Sequence, residues 1–500
     1  MAAEAYEALK RRFRRHALLG EAAAMLHWDA AAMMPTGGAE ARAEQLSALD
    51  LERHAMLADP ALADLLDEAE AAADGLGDWD RANLRQMRRL WRAATALPPE
   101  LVEALSLTTS HCEMVWRSAR AADDFATLRP HLEAVLALVR EKAAARADAL
   151  GLSPYDALLD GYEAGLRSVR LDEAFGRLQD VLPDFLDDVL IRQARAPSPL
   201  PLDGPFPLER QQWLAEHMMQ AIGFDFAHGR LDVSHHPFTG GVPDDVRLTT
   251  RYREDDFADS LLAVLHETGH AMYERGLPAA WRLQPVGEAM GMAVHESQSL
   301  IVEMQACRSD AFIGFLAGAL HEAFGVDGEV WAPSNLARHL RRVERSLIRV
   351  DADEVSYPLH VILRYRLERA MIAGDLAVAE LPGAWREGMR ELIGIEVPDD
   401  RDGCMQDIHW MGGEFGYFPT YTLGAIGAAQ LYAAARTAEP GLEAALGRGD
   451  FAPLMGWLAR HVHSHGAFHD SADALLAAAT GRPLDVEGFI AHLHRRYGET

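Results

Sequence analysis

The sequence is poor in cysteine, in positive charge and in long apolar runs, and each scarcity excludes a class of protein. Its three cysteines, Cys112, Cys307 and Cys404, are widely spaced, which gives little support to a disulfide framework or a cysteine-based zinc site. The net charge is -28, so a nucleic-acid backbone would be repelled. No run of about 18 apolar residues occurs, which excludes an ordinary membrane span. We therefore expect neither nucleic acid nor a membrane as a partner.

The amino terminus also lacks the apolar core and the small-residue cleavage site of a signal peptide. Without a leader or a disulfide framework, the cytoplasm is the expected location. A chain of 500 residues, of which 49% are hydrophobic, can bury a large core. We expect one catalytic domain over 1–500; the alternative is a helical half over 1–195 and a metal-bearing half over 208–500.

Helical periodicity dominates the chain, because Ala, Leu, Arg and Glu are abundant and apolar residues recur at spacings of three and four. One such helix is predicted over 171–190, and Pro183 is expected to kink or divide it. The proline-rich segment 196–207 cannot be helical throughout, so it predicts an extended connection. The fold class is therefore mainly α.

Strand-forming residues are concentrated between Leu231 and Tyr252. They flank a turn that the glycines and the proline of 239–244 predict. The sequence therefore predicts a small hairpin or sheet immediately before the next helical segment.

That segment, 259–276, contains His266 and His270 four residues apart among apolar residues with helical spacing. Both imidazoles project from one face of the helix and can bind one zinc ion. Glu267 adjoins the first histidine and can act as general base toward a water at the metal. Because an HExxH pattern arises by chance in roughly one chain in ten of this composition, its context decides its weight.

The context is a second predicted helix that carries His295-Glu296-Ser297-Gln298. Glu296 lies far enough beyond His270 for this helix to turn back and supply a third, oxygen ligand. Three protein ligands leave a fourth position open, as a catalytic zinc requires. His295 and Asp353 are candidates for orienting the ligand imidazoles. The pattern favours a catalytic site over a structural metal or over histidines satisfied within the helix.

Six motifs, in order along the chain, resemble those of the carboxypeptidase Taq family of metallocarboxypeptidases. They are His236-Pro237-Phe238, Asp245-Val246-Arg247-Leu248-Thr249, His266-Glu267-Thr268-Gly269-His270, His295-Glu296-Ser297-Gln298, Ile348-Arg349-Val350-Asp351-Ala352-Asp353 and Gly403-Cys404-Met405-Gln406-Asp407-Ile408-His409-Trp410. Further similarity near both ends extends the resemblance over most of the chain.

The resemblance implies an almost wholly helical fold around a deep central groove, usually as a homodimer. It implies one divalent metal per chain, Zn²⁺, with Co²⁺ or another divalent ion as a substitute. Its implied activity is the removal of single amino acids, with broad side-chain preference, from peptides with a free C-terminal carboxylate. The family's metal ligands correspond to His266, His270 and Glu296, and its general base corresponds to Glu267.

An exopeptidase must recognise a terminal carboxylate, and the bidentate guanidinium of arginine suits that task. Arg349 is the first candidate; the alternative is an internal salt bridge with Asp351, Asp353 or Glu354. Arg247 is the second candidate, and its alternative is a salt bridge that ties the hairpin to acidic neighbours.

His236 and Phe238 are candidates for a substrate pocket, although a turn packed on the core would have the same sequence. Tyr417, Tyr421 and His409 are candidate donors to the developing oxyanion. The sequence does not separate the two tyrosines, of which one is expected to serve packing, and His409 could equally be structural.

Two rival functions are compatible with parts of this pattern. An oligopeptidase that cleaves internally, or a dipeptidyl carboxypeptidase, would share the metal ligands and differ in the carboxylate anchor. A non-catalytic helical binding protein would have no chemical need for Glu267.

Overall fold

The computed structural model describes residues 2–498, and helices dominate them, as the periodicity predicts. The α-helices of this part of the chain are α1 (Ala2–Ala32), α2 (Ala39–Ala58), α3 (Pro60–Glu70), α4 (Asp78–Thr95), α5 (Pro99–Ala121), α6 (Phe125–Leu150), α7 (Pro154–Tyr162), α8 (Ser168–Arg195), α9 (Leu208–Ile222), α10 (Ala258–Gly276), α11 (Met292–Leu300), α12 (Asp310–Phe324), α13 (Pro333–Leu340), α14 (Tyr357–Ala373), α15 (Leu381–Leu392), α16 (Pro419–Ala438), α17 (Leu442–Leu446), α18 (Ala452–His461), α19 (Ala472–Thr480) and α20 (Val486–Tyr497). The strands are β1 (Gly229–Val233), β2 (Phe238–Val242) and β3 (Asp245–Thr250). No helix between residues 2 and 498 is both long and apolar enough to cross a membrane.

The chain forms two compact units, and each is assembled from three separate segments. The first unit comprises Met1–Ala94, Pro199–Leu340 and Gly427–Leu484, and the second comprises Thr95–Ser198, Arg341–Ile426 and Asp485–Thr500. Helix α16 begins in the second unit and continues into the first. The expected single domain over 1–500, like the alternative halves over 1–195 and 208–500, stays a prediction.

In the first unit, a three-stranded sheet in the order β1-β3-β2 packs against α10. Strand β3 runs parallel to β1 and antiparallel to β2. Val246 and Leu248 of β3 form one buried apolar cluster with Val264 and Ala271 of α10. Removing these side chains from water holds the helix against the sheet. The small sheet expected beside the motif helix is confirmed.

The connection between β2 and β3 is shorter than the sequence predicts. Residues 239–242 lie within β2, and only Pro243 and Asp244 join the two strands. Gly241 has a φ of 85°, and a Cβ at that position would lie 2.2 Å from the carbonyl oxygen of Asp245. The glycine that predicts a turn is instead required where two strand backbones approach each other closely.

Helix α8 of the second unit continues through Pro183, so the expected division does not occur. Leu178 and Leu182 before the proline, and Phe185 after it, are all buried. Burial of one apolar face on both sides offsets the backbone hydrogen bond that proline cannot donate. The extended connection predicted over 196–207 is confirmed.

Helix α14 is the central element of the second unit, where it packs against α6, α7, α8 and α15. Three of its polar residues, His360, Arg364 and Glu368, are fully buried at spacings of four. That spacing places them on one face of the helix. Buried polar groups of this kind require partners, and those of Arg364 and Glu368 include Asp407 and Trp410 of the last motif.

Candidate active site

The three predicted metal ligands come together in the first unit. Helix α10 presents the imidazoles of His266 and His270, and α11 supplies the Glu296 carboxylate. One ligand atom from each residue lies within 4.8 Å of the other two. Nε2 of His266 is 3.8 Å from Glu296 Oε2, and Nε2 of His270 is 3.5 Å from the same oxygen.

This donor set fits a divalent metal. In a tetrahedral zinc site with bonds of about 2.0–2.1 Å, the donor atoms lie roughly 3.4 Å from one another. The distances of 3.8 and 3.5 Å between Glu296 Oε2 and the two imidazole nitrogens are slightly longer than this. Two imidazole nitrogens and one carboxylate oxygen are donors that zinc accepts, and three protein donors leave a position open.

Helices α10 and α11 approach each other closely at Gly269. A Cβ at this position would lie 2.4 Å from the carbonyl oxygen of Gln298 and 2.6 Å from Cα of Ser299. Only glycine is compatible with that contact. Because Gly269 adjoins His270 and Gln298 follows Glu296 by two residues, this contact determines how near the carboxylate comes to the imidazoles.

The predicted general base, Glu267, is held by the sheet. It is 8% exposed, and Oε2 of its carboxylate lies 2.7 Å from the Thr239 hydroxyl on β2. The same hydroxyl lies 2.9 Å from the Glu267 backbone oxygen. We did not predict Thr239 from the sequence, although its place directly after the Phe238 motif is a signal that could have identified it.

Each ligand imidazole directs Nε2 toward Glu296 and uses Nδ1 for an outer contact. Nδ1 of His266 lies 3.0 Å from Glu303 Oε2. Nδ1 of His270 lies 2.7 Å from His295 Nδ1, and His295 Nε2 lies 2.8 Å from Glu274 Oε1. His295 therefore contacts a ligand imidazole as expected, whereas Glu274 and Glu303 were not predicted.

The other first-unit candidates lie on or beside the sheet. His236 is exposed just before β2, and Phe238, the first residue of β2, is half-buried. Arg247 on β3 donates two hydrogen bonds to Asp245, at 3.0 and 2.7 Å, and lies 4.7 Å from the centre of the Trp28 ring. The local salt bridge considered for Arg247 is therefore present.

In the second unit, Arg349 is 5% exposed and pairs with Asp407. Its Nε and Nη2 donate to Asp407 Oδ1 at 3.1 and 2.9 Å, and its Nη1 donates to the Tyr357 hydroxyl at 2.8 Å. Asp407 Oδ2 accepts a hydrogen bond from Arg364 Nε at 2.7 Å. Although burial opposes its charge, Arg364 and Arg349 hold the pKa of Asp407 well below its usual range. One carboxylate thus faces two guanidinium groups.

The three oxyanion candidates cluster around the same arginine. His409 Nε2 lies 3.2 Å from the Tyr421 hydroxyl, and the His409 ring stacks on Tyr417 with centroids 5.7 Å apart. The Arg349 guanidinium lies 4.8 Å from the centre of the Tyr421 ring. Burial, reinforced by Arg349, lowers the pKa of His409 to about 4. His409 is therefore neutral at pH 7 and keeps one N–H donor.

Two polar motif residues bind backbone near these groups. Asp353 accepts hydrogen bonds from the Ser356 hydroxyl at 2.8 Å and from the Glu344 N–H at 3.0 Å. Gln406 Oε1 accepts the backbone N–H of Arg349 at 2.8 Å. The contacts of Asp353 therefore go to its own segment, and Gln406 joins that segment to the one containing His409.

Glu368 on α14 anchors the loop that precedes α16 and carries Tyr417. Its Oε1 accepts a hydrogen bond from Trp410 Nε1 at 2.8 Å, and its Oε2 accepts from the Tyr155 hydroxyl at 2.8 Å and the Gly416 N–H at 2.9 Å. Burial raises the pKa of Glu368 to about 7. The sequence did not single out Glu368; its spacing of four from Arg364 is the available signal.

Replacement of Glu368 with glutamine is expected to alter how thermal stability depends on pH. The folded protein keeps this proton up to about pH 7, whereas the unfolded chain releases it near the ordinary pKa of 4.5. Because the unfolded state binds fewer protons in this window, wild-type stability falls as pH rises through it, by on the order of 3 kcal/mol. The melting temperature of the wild-type protein relative to that of Glu368→Gln should therefore be lower at about pH 8 than at about pH 5. The same difference at both pH values would contradict the raised pKa.

Comparison with known sequences gives matches over nearly the whole chain. A family model described as carboxypeptidase Taq (M32) metallopeptidase matches residues 8–497. Thermostable carboxypeptidase 1 of Thermus thermophilus is 38% identical over 504 residues, covering 99% of this chain and 98% of its own. Carboxypeptidase 1 of Bacillus subtilis is 32% identical and covers 95% of both chains.

Solved structures with the same architecture include metallocarboxypeptidase 1 of Trypanosoma cruzi. That structure has a TM-score of 0.96 and 42% identity, with 99% of both chains covered. An M32 carboxypeptidase from Deinococcus radiodurans has a TM-score of 0.92 and 36% identity, again with 99% of both chains covered. The predicted mainly α fold with its small sheet is confirmed over nearly the full length.

Proposed function

The chain belongs to the carboxypeptidase Taq (M32) metallopeptidase family, and from this premise we propose how its residues hydrolyse peptides. Membership makes it a metallocarboxypeptidase that uses a divalent metal and acts on peptides. The finer proposal is that the metal is zinc, replaceable by cobalt, and that the preference for the last side chain is broad. The observation that carries the metal assignment is the meeting of His266, His270 and Glu296 on the helix pair that also carries Glu267, whereas the broad preference rests on the family resemblance.

Proton transfer is assigned to Glu267. When bound, zinc supplies the Lewis acidity that makes a water nucleophilic near neutral pH and polarises the scissile carbonyl. Glu267 accepts the proton of this water as general base and delivers it to the leaving amine. The Thr239 hydroxyl, at 2.7 Å from Glu267 Oε2, orients the carboxylate for both transfers. Metal binding is therefore assigned to His266, His270 and Glu296, and proton transfer to Glu267.

Stabilisation of the developing oxyanion is assigned to the aromatic cluster of the second unit. Donors that are already oriented stabilise such a charge best. The Tyr421 hydroxyl and His409 Nε2 restrain each other at 3.2 Å, and Tyr417 is restrained by ring contacts with His409. Neutral His409 offers an N–H, and each tyrosine offers a hydroxyl, so Tyr417 and Tyr421 remain alternatives.

Arg349 is proposed to bind the terminal carboxylate of the substrate, because its cluster carries excess positive charge. Arg349 and Arg364 share the single carboxylate of Asp407, and the neutral His409 adds no charge. A buried charge without a counter-charge is unfavourable, so an anion that joins the cluster is stabilised. The described hydrogen bonds of Arg349 engage three of its five N–H donors. A carboxylate would supply both acceptors and charge balance.

Substrate contacts are also proposed for the sheet of the first unit. Phe238 offers a half-buried apolar wall and His236 an exposed polar edge, a combination that suits a pocket with broad preference. Arg247 is the second candidate for the carboxylate anchor. It ranks below Arg349 because Asp245 already balances its charge one to one.

A mass-spectrometric time course on one mixed-sequence peptide, with and without a chelator, tests the proposed function. We expect a ladder of single-residue losses from the C-terminus that the chelator abolishes, because the metal and an open coordination position are both required. Successive losses of dipeptides, or internal cuts, would favour the oligopeptidase alternative. An intact peptide after incubation with the metal-loaded protein would favour the non-catalytic alternative.

The cytoplasmic location and the homodimer remain predictions. Cys112, Cys307 and Cys404 are buried free thiols, which supports a reducing compartment for this chain. The homodimer is supported by the family resemblance.

A further inference from the structure

The helix that supplies Glu296 does not end at Leu300. It continues as a π-helical turn over Ile301–Ala306, which packs against α10. Such widened turns are rare in proteins and are found frequently at functional sites. The turn carries Glu303, a carboxylate that is 8% exposed and belongs to none of the six sequence motifs.

Both oxygens of the Glu303 carboxylate are engaged. Oε2 lies 3.0 Å from His266 Nδ1, and Oε1 accepts a hydrogen bond from Arg308 Nη2 at 3.0 Å. Arg308 is itself 7% exposed. A buried carboxylate is stable only when it is paired and hydrogen-bonded, and these two partners meet that requirement.

The contact with Glu303 determines which nitrogen of His266 is available to a metal. An ionised carboxylate only accepts hydrogen bonds, so the proton of a neutral His266 must lie on Nδ1. Nε2 then keeps its lone pair, and Nε2 is the nitrogen that faces Glu296 Oε2 at 3.8 Å. The outer carboxylate and the ligand carboxylate thus lie at opposite nitrogens of one imidazole.

The second ligand imidazole is supported differently. His270 Nδ1 contacts His295 Nδ1 at 2.7 Å, and on this outer side the carboxylate of Glu274 lies one residue further away, 2.8 Å from His295 Nε2. The His295 imidazole stands between His270 and the Glu274 carboxylate, so the two imidazoles can reorient together. The direct contact with the Glu303 carboxylate therefore constrains the His266 ring more strongly than the contact with His295 constrains the His270 ring.

We propose that Glu303, held by Arg308 on the π-helical turn, is a metal-positioning residue that sets the tautomer and the ring orientation of His266. It raises metal affinity without coordinating the metal. This inference rests on the proposed metal site at His266, His270 and Glu296.

The test measures zinc affinity by competition with a chromophoric chelator, alongside the melting temperature of the metal-free protein. Glu303→Leu removes the acceptor for His266 Nδ1 and should weaken zinc binding about tenfold or more, since loss of such an outer partner commonly has an effect of that size. Glu322→Gln, on an exposed residue of α12, makes the same change in net charge and should bind zinc as the wild-type protein does.

Glu303→Leu alone removes one charge of a buried ion pair, a change that destabilises folded proteins. The double variant Glu303→Leu, Arg308→Met replaces the buried ion pair with apolar side chains, removes the acceptor for His266 Nδ1 and keeps the fold testable. A folded double variant with weakened zinc affinity supports the proposal. Zinc affinity within twofold of wild type in the double variant overturns it, whatever happens to the melting temperature.

Substitutions of the three proposed metal ligands show whether a negative result concerns only the role of Glu303 or the metal site itself. His266→Ala, His270→Ala and Glu296→Ala are each expected to release zinc in the same titration, because each removes a donor. Full stoichiometry and unchanged affinity in Glu296→Ala would show that the third ligand is wrong. Zinc loss in all three, combined with wild-type affinity in the Glu303 variants, would overturn only the positioning role.

Discussion

Replacing Glu267 with glutamine is expected to lower kcat by about 100-fold or more while the protein keeps its fold and its metal. Glutamine has the size of glutamate and still offers an oxygen to the Thr239 hydroxyl, which is 2.7 Å from the present carboxylate. It cannot take up the proton of the attacking water or return one to the leaving amine. The measurement pairs kcat with the metal content of the same preparation.

The control for this substitution is Glu322→Gln, which changes the net charge equally at an exposed position and should leave kcat unchanged. Near-normal kcat in metal-loaded Glu267→Gln would remove this residue from the proton-transfer step. Loss of metal together with activity would instead place Glu267 in the coordination sphere, in which case the division between ligands and base is wrong.

Peptides with an amidated C-terminus should be cleaved about 100-fold more slowly than the matching free acids, because amidation removes the charge that an arginine binds in a bidentate manner. Every scissile carbonyl stays the same in this comparison, so the difference isolates recognition of the terminus. The chain's net charge of -28 gives a peptide anion no general attraction, which makes a local guanidinium necessary. The measurement is kcat/KM for the two peptides with the wild-type protein.

The anchor is identified by repeating the comparison with arginine variants. Arg349→Gln should lower kcat/KM for the acid by about 100-fold and affect the amide much less, because the lost interaction exists only with the acid. Arg247→Gln is the matched variant and should change the ratio between the substrates little, since Asp245 balances that arginine. Equal losses on both substrates in Arg349→Gln would move the anchor to Arg247. Equal cleavage of acid and amide by the wild-type protein would overturn the carboxylate requirement.

Features that depend on spacing within one element were predictable from the sequence. The helix carrying His266 and His270 was predicted over 259–276 and spans Ala258–Gly276. Its two imidazoles share a face because residues four apart on a helix always do. The sheet before it was also predicted, but the length of its turn was not. A glycine required by a close strand approach, Gly241, has the same sequence signature as a glycine in a turn.

Contacts between distant segments were not predictable in the same way. The sequence offered Asp351, Asp353 and Glu354 as local partners for Arg349, whereas the structure pairs it with Asp407, 58 positions further along the chain. Nearness in sequence is a poor guide here, because the ion pair joins two segments whose approach depends on how they pack around α14. The continuation of α8 through Pro183 has a similar origin, since burial of both halves outweighs a local preference.

The sequence by itself determined the fold class, and it predicted His266, His270 and Glu296 as metal ligands and Glu267 as the base, since periodicity and motif order act along the chain. Only the tertiary structure decided that Thr239 holds Glu267 and that Glu303 holds His266. A hydrogen bond tolerates a change of only a few tenths of an ångström in the distance between its donor and its acceptor. The register at which helices and strands pack is set by contacts among many side chains. One sequence shows which groups are available for such bonds, and their partners follow only when the packing brings the groups together.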